Sequence, residues 1–97
     1  MQHFTTEQHT YLIDFFTQEA LHNRDLAHDF LAQDDAELAD MYLNDALQCD
    51  AVVAKLSNDT TIATAKQLVR EFDTYEDLLS KISEFDERDD IVDLLTQ

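Results

Sequence analysis

Ninety-seven residues carry 22 Asp and Glu against six Lys and Arg, a net charge of −16 at neutral pH. Like charges repel, so direct binding to nucleic acid or to an anionic membrane is excluded, and a basic protein surface is the natural partner. The chain has no glycine and no proline, where average usage predicts roughly a dozen; a β-rich fold needs them at its corners, whereas helices can close their ends with Asn, Asp, Ser and Thr.

The first helix start is Thr5, with Gln8 three residues on, the spacing of a capping box. Leu12, Phe16, Ala20, Ala27 and Phe30 then recur on one stripe, with Ile13, Phe15, Leu26 and Leu31 beside it, which predicts one long helix over 6–32. A kink at the polar patch His22-Asn23-Arg24-Asp25 is the alternative to a straight rod. Gln33-Asp34-Asp35 reads as a turn, and Asp34 with Glu37 as the next cap, opening a helix to about Ser57. One face of that helix carries Leu38, Tyr42, Cys49, Val52, Val53 and Leu56. Leu43 and Leu47 lie nearly opposite, beside Ala51 and Ala54. A helix apolar on two sides is central in a bundle or forms an oligomer interface; a homodimer with Phe15 and Leu21 as further contributors is one expectation.

Ser57-Asn58-Asp59 ends the second helix and starts a third over 60–72, with Ile62, Ala65, Val69 and Phe72 inward. Asp73 with Glu76 repeats the capping pattern. A fourth helix over 74–84 buries Tyr75, Leu78, Leu79 and Ile82, and a last one over 88–96 offers Ile91, Leu94 and Leu95. The expected fold is all-α and a single domain: a long antiparallel αα-hairpin packed by two or three short helices.

Folding the hairpin about its turn sets Phe30 near Leu38, Leu26 near Tyr42, Asn23 opposite Asp45 and Glu19 opposite Cys49. Asn23 and Asp45 interrupt apolar stripes, as a polar layer that sets helix register or as the wall of a polar cavity. A buried Asp45 should have a raised pKa unless Asn23, Arg24 or a hydroxyl bonds it. Glu19-x-x-His22 and Asp25-x-x-His28 have the spacing of carboxylate-bridged metal bundles, but the facing helix has no histidine, so no metal or cofactor is expected. His3 and His9 read as surface or capping residues. Cys49 is the lone cysteine, so no internal disulfide forms, and on an apolar stripe it reads as a small buried hydrophobe. Without a phosphate-binding loop, a nucleophile elbow or a zinc-type cysteine pair, no catalysis is expected. Met1-Gln2-His3-Phe4 does not resemble a signal peptide, and no apolar run approaches the ~18–20 residues of a membrane span, so a cytoplasmic location is expected.

The acids concentrate in two runs: Asp34, Asp35, Glu37 and Asp40 at the hairpin turn, and Glu84, Asp86, Glu87, Asp89, Asp90 and Asp93 near the C-terminus. Carboxylates three and four residues apart on a helix sit about 5–6 Å from each other, close to the spacing of phosphates along a nucleic-acid strand. In size, helicity and charge the whole chain resembles the small acidic inhibitors encoded by phages and mobile elements, including DNA-mimic anti-restriction and anti-CRISPR proteins. That likeness is one of general character and carries no residue over by position. It implies a non-catalytic inhibitor, acting in the host cytoplasm, that blocks the basic groove of a nucleic-acid-binding protein or effector complex. The two acidic runs are the residues expected to bind it. The alternative is a helical adaptor, antitoxin or immunity-type module that uses an apolar face; exposure of Leu43 and Leu47 would favour it. A halophilic protein whose acids serve solvation is a third reading.

Overall fold

A computed structural model describes residues 2–97 as an all-α bundle built on one long hairpin. The first helix, α1 (Thr6–Ala32), runs 27 residues without a break, about 40 Å at 1.5 Å per residue. It starts where the capping box predicts: the Thr5 hydroxyl accepts the Gln8 N–H at 3.1 Å, and the Gln8 amide oxygen accepts the Thr5 N–H at 3.0 Å. The turn that ends it does without glycine. Asp34 takes a left-handed φ of 59°, while its N–H bonds the Leu31 carbonyl at 3.1 Å and the Asp35 N–H bonds that of Phe30 at 2.8 Å. This is the Schellman pattern, with Asp as one of the few non-glycine residues that tolerates that position. Asp34 therefore cannot cap the next helix. The cap moves to Asp35, whose carboxylate accepts the Leu38 N–H at 3.2 Å, and the expected Asp34–Glu37 box does not form.

The second helix, α2 (Ala36–Leu56), packs antiparallel on α1. Ala20, Ala27, Ala39 and Ala46 are buried, and such small side chains let helix backbones approach closely. Phe30 stacks on Tyr42, with ring centroids 5.4 Å apart and planes 3° apart. Side chains lean toward the N-terminus of their own helix. Across an antiparallel pair, that tilt offsets contacts from the level of the backbones.

Three short helices complete the chain: α3 (Ile62–Arg70), α4 (Tyr75–Ser80) and α5 (Asp89–Thr96). Asp59 shapes the entry to α3, accepting the Thr61 N–H and the Thr64 hydroxyl, each at 2.8 Å. These bonds hold its carboxyl down to about 2. Beside this turn, the Phe4 N–H donates to the Thr60 carbonyl and the Ile62 N–H to that of Gln2, both at 3.0 Å. The only β-type pairing among the described residues, His3 with Thr61, lies between them. His9 donates its Nε2–H to the Leu56 carbonyl at 2.6 Å, closing the end of α2.

The expected Asp73–Glu76 capping box is absent, since α4 starts at a Thr74 cap with no side-chain bond. The helical path does run on past residue 84, but its last five residues are wound differently. A π-helical turn, Lys81–Phe85, follows α4. Both of its flanks are tied to α1: Lys81 to Glu19, and Asp86 to the Tyr11 hydroxyl. The wider turn leaves Ile82 fully buried and swings Phe85 outward to 81% exposure.

One apolar cluster joins the N-terminal half of α1, the C-terminal half of α2 and all three short helices through Phe4, Leu12, Phe16, Leu56, Val69, Leu78, Ile82, Ile91 and Leu95. Ala27, Ala39 and Ala46 lie outside it, between α1 and α2 alone. The far half of the hairpin thus projects as a two-helix arm. Among the described residues, no helix is long and apolar enough to cross a membrane.

Candidate partner-binding surface

The two acidic runs fall at opposite ends of the molecule. Arg88 meets Glu7 in the first turn of α1, whereas Asp34 follows its last residue, so the runs are separated by most of the ~40 Å length of that helix. At the tip, Asp34, Glu37 and Asp40 are exposed, and Asp35 is half-buried by its capping role.

At the other end, Arg88 organises the acids. Its guanidinium donates to both carboxylate oxygens of Glu7 at 2.7 and 2.8 Å and to Asp90 at 2.9 and 3.0 Å. It also lies 4.8 Å from the centroid of the Tyr11 ring. The Arg88 bond holds the Asp90 carboxyl down to about 2. Burial, followed by the hydrogen bond to Asp86 at 2.6 Å, raises the Tyr11 phenol. Asp89 accepts the Ser83 hydroxyl. Asp86, Asp89 and Asp90 are thus engaged by the fold itself, while Glu84, Glu87 and Asp93 are exposed and make no side-chain hydrogen bond among the described residues. The clue to this hub was Arg88 itself, the lone cation in the stretch 84–93.

Half of the six Lys and Arg residues are spent in ion pairs: Arg24 with Asp50, Lys81 with Glu19, and Arg88 with Glu7 and Asp90. The other three, Lys55, Lys66 and Arg70, sit in the last turn of α2 and on α3. The arm and the C-terminal segment are left acidic. The long axis spans 46 Å, so a charge of −16 amounts to one net negative charge per 2.9 Å, against one per about 1.7 Å for duplex DNA.

The arm also has an apolar side. Leu31 follows Arg24 by seven residues, and Leu43 and Leu47 precede Asp50 by seven and three. Helical phase therefore sets all three on the side marked by the Arg24–Asp50 pair. They are 56%, 42% and 53% exposed, so the short helices do not cover this second face of α2. Leu21 is exposed as well, whereas Phe15 is buried in the core.

Where the arm leaves the bundle, α1, α2, α4 and the π-turn enclose a cleft of about 420 Å³. Asn23 and Asp45 both line it, so together they form a cavity wall rather than a closed polar layer. Arg24 turns to Asp50 instead. Asp45 is half-buried and has no side-chain hydrogen bond among the described residues. Burial, reinforced by Asp73, raises its carboxyl above the usual range. Glu19 shares the wall but is held by the Lys81 ammonium at 3.0 and 3.3 Å. Cys49 is buried at the base, and its thiol is pushed up to about 12, first by burial and then by Glu19, Asp45 and Asp50. Of the two histidine pairs, Glu19 and His22 reach the cleft while Asp25 and His28 face solvent. Among the described residues, no three His, Cys, Asp or Glu side chains converge as a metal site.

Comparison with protein-family models, with curated proteins and with solved structures finds no match to this chain.

Proposed function

We propose that this protein is a non-catalytic inhibitor that occupies the basic nucleic-acid-binding groove of a protein or effector complex, as phage-encoded DNA mimics do against host defence. The observation that supports this reading most is the charge of the rod: more than half the linear density of duplex DNA, along 46 Å. Pairing of Arg24, Lys81 and Arg88, and confinement of the other three cations to the α3 region, leaves most of that charge facing outward. A charge of this size works against close approach of a second copy and favours a cationic surface.

Lysine substitutions at exposed acids that make no side-chain bonds test the reading with every side-chain hydrogen bond of the fold left in place. Asp34, Glu37 and Asp40 at the tip, with Glu84, Glu87 and Asp93 at the other end, are the set. Their reversal abolishes partner binding while thermal unfolding stays cooperative, and binding by the unaltered protein falls steeply with salt. Binding that survives the reversals contradicts the proposal.

Exposure of Leu31, Leu43 and Leu47 favours a second reading: an adaptor, antitoxin or immunity-type module that docks through the apolar side of the arm. Its complex would persist in high salt and be lost on Leu47→Asp.

A further inference from the structure

The cleft at the root of the arm has a chemistry that the acidic surface does not require. Its walls are largely apolar, with Leu26 and Phe72 among them, and Tyr42 and Phe85 add two aromatic rings. The charges along them are unbalanced. Lys81 is neutralised by both oxygens of Glu19, which leaves Asp45 and Asp77 with no cation.

A half-buried carboxylate without a donor is costly to keep ionised, and a cation entering the cleft would remove that cost. An anion would meet two carboxylates, and a neutral guest would leave Asp45 uncompensated. Phe85 adds a separate indication. It is the most exposed large apolar side chain of those described, at 81%, and the π-turn holds its ring at the rim of the cleft. π-Turns inside helical segments recur at functional sites.

A flat cation on an aliphatic stem matches these walls. A guanidinium can pair with a carboxylate through two N–H groups and stack on an aromatic ring, while its methylenes lie along apolar surface. An ammonium would gain the charge but neither the fork nor the stacking.

We propose that this cleft is the socket for an arginine side chain of the basic partner, with Asp45 receiving the guanidinium and Phe85 closing over it. The assignment rests on the groove-binding reading only in taking the arginine from a partner protein. The socket itself can be tested alone.

The probes are N-acetyl-arginine methylamide, its lysine analogue and its neutral citrulline analogue, each titrated at low salt into the full chain and followed by amide chemical shifts. The arginine probe is expected to saturate, with shifts concentrated at Asn23, Asp45, Cys49 and Phe85. The lysine probe binds several-fold more weakly, and citrulline does not bind. Asp45→Asn weakens the arginine probe about tenfold. Phe85→Ala, at a site too exposed to matter for folding, weakens it about threefold. Reversal of Asp34, Glu37 and Asp40 leaves probe binding unchanged, so failure of the groove reading is distinguishable from failure of the socket. Equal binding of the lysine probe, shifts confined to the acidic ends, or full affinity in both variants would overturn the assignment.

Discussion

Arg88 grips Glu7 across 81 residues of sequence, through two N–H···O bonds of 2.7 and 2.8 Å. The contact joins the C-terminal segment to the first turn of α1, with the Tyr11 ring beneath the guanidinium and Asp90 beside it. Removing this cation also leaves Glu7, Asp86 and Asp90 to repel one another. Arg88→Ala is expected to cost about 1–2 kcal/mol, because the bidentate pair, the ring contact and the neighbouring acid act together, although Glu7 is well exposed. Urea titration at low and at molar salt checks it. Screening weakens both the pairing and the repulsion, so the difference between variant and parent should shrink in salt.

The two left-handed residues predict different responses to glycine. Asp34, with φ 59°, belongs to a residue type that accepts this region, so Asp34→Gly should change stability little. Glu87, with φ 55°, gains nothing local from its longer side chain. Glu87→Gly is expected to stabilise by about 0.5–1 kcal/mol, as relief of the Cβ clash outweighs the added freedom of the unfolded chain. Destabilisation in a chemical unfolding curve would contradict this. At the other end of α1, Thr5→Ala should cost about 1 kcal/mol through loss of the cap.

Stability should pass through a maximum on the acid side of neutrality. Asp59 and Asp90 have carboxyls held near 2, against ~3.9 in an unfolded chain. A depressed folded pKa contributes stability that is present above the unfolded value and lost as pH falls toward 2. Asp45 works in the other sense: its raised carboxyl penalises the fold at neutral pH, and the penalty fades as the pH drops through its folded pKa. Protonation also relieves the self-repulsion of a −16 chain. Unfolding midpoints measured by circular dichroism should therefore rise as the pH is lowered from 7 and then fall between ~4 and 2. Asp45→Asn should flatten the rise. A midpoint that only falls below pH 7 would contradict the account.

Cys49 should be inert in the folded protein. It is 1% exposed, with a thiol pushed up to about 12, so at pH 8 only about one molecule in ten thousand presents a thiolate. Iodoacetamide labelling followed by mass spectrometry should be slow in buffer and fast in denaturant, where the ordinary value of ~8.5 returns. Rapid labelling of the native chain would show that the cleft opens to Cys49.

The long helices were legible because their signals are local. Thr5 and Gln8 mark the start of α1 within four residues, and the helix runs from Leu12 to Phe30 without a break at Asn23. The tip was one residue out because either Asp34 or Asp35 can cap. Which of them turns left-handed is decided by how the chain leaves α1. The π-turn was invisible to a reading that assumes 3.6 residues per turn, since ties from Lys81 to Glu19 and from Asp86 to Tyr11 place it. The acidic runs could be read from composition. Their division into engaged acids (Asp86, Asp89, Asp90) and unengaged ones (Glu84, Glu87, Asp93) depends on folded contacts, chief among them Arg88 and Tyr11. The cleft draws on four separate segments, and only Asn23 and Asp45, as polar breaks in apolar stripes, hinted at it.

The measurement that bears most directly on the central claim is capture of a partner from bacterial lysate on the immobilised protein at low salt, with nuclease present, followed by challenge with excess duplex DNA. The account predicts that a nucleic-acid-binding protein or complex is retained after nuclease treatment and displaced by the DNA. A partner that ignores both DNA and molar salt but is lost on Leu47→Asp would contradict the groove-binding account and assign the function to the apolar side of the arm.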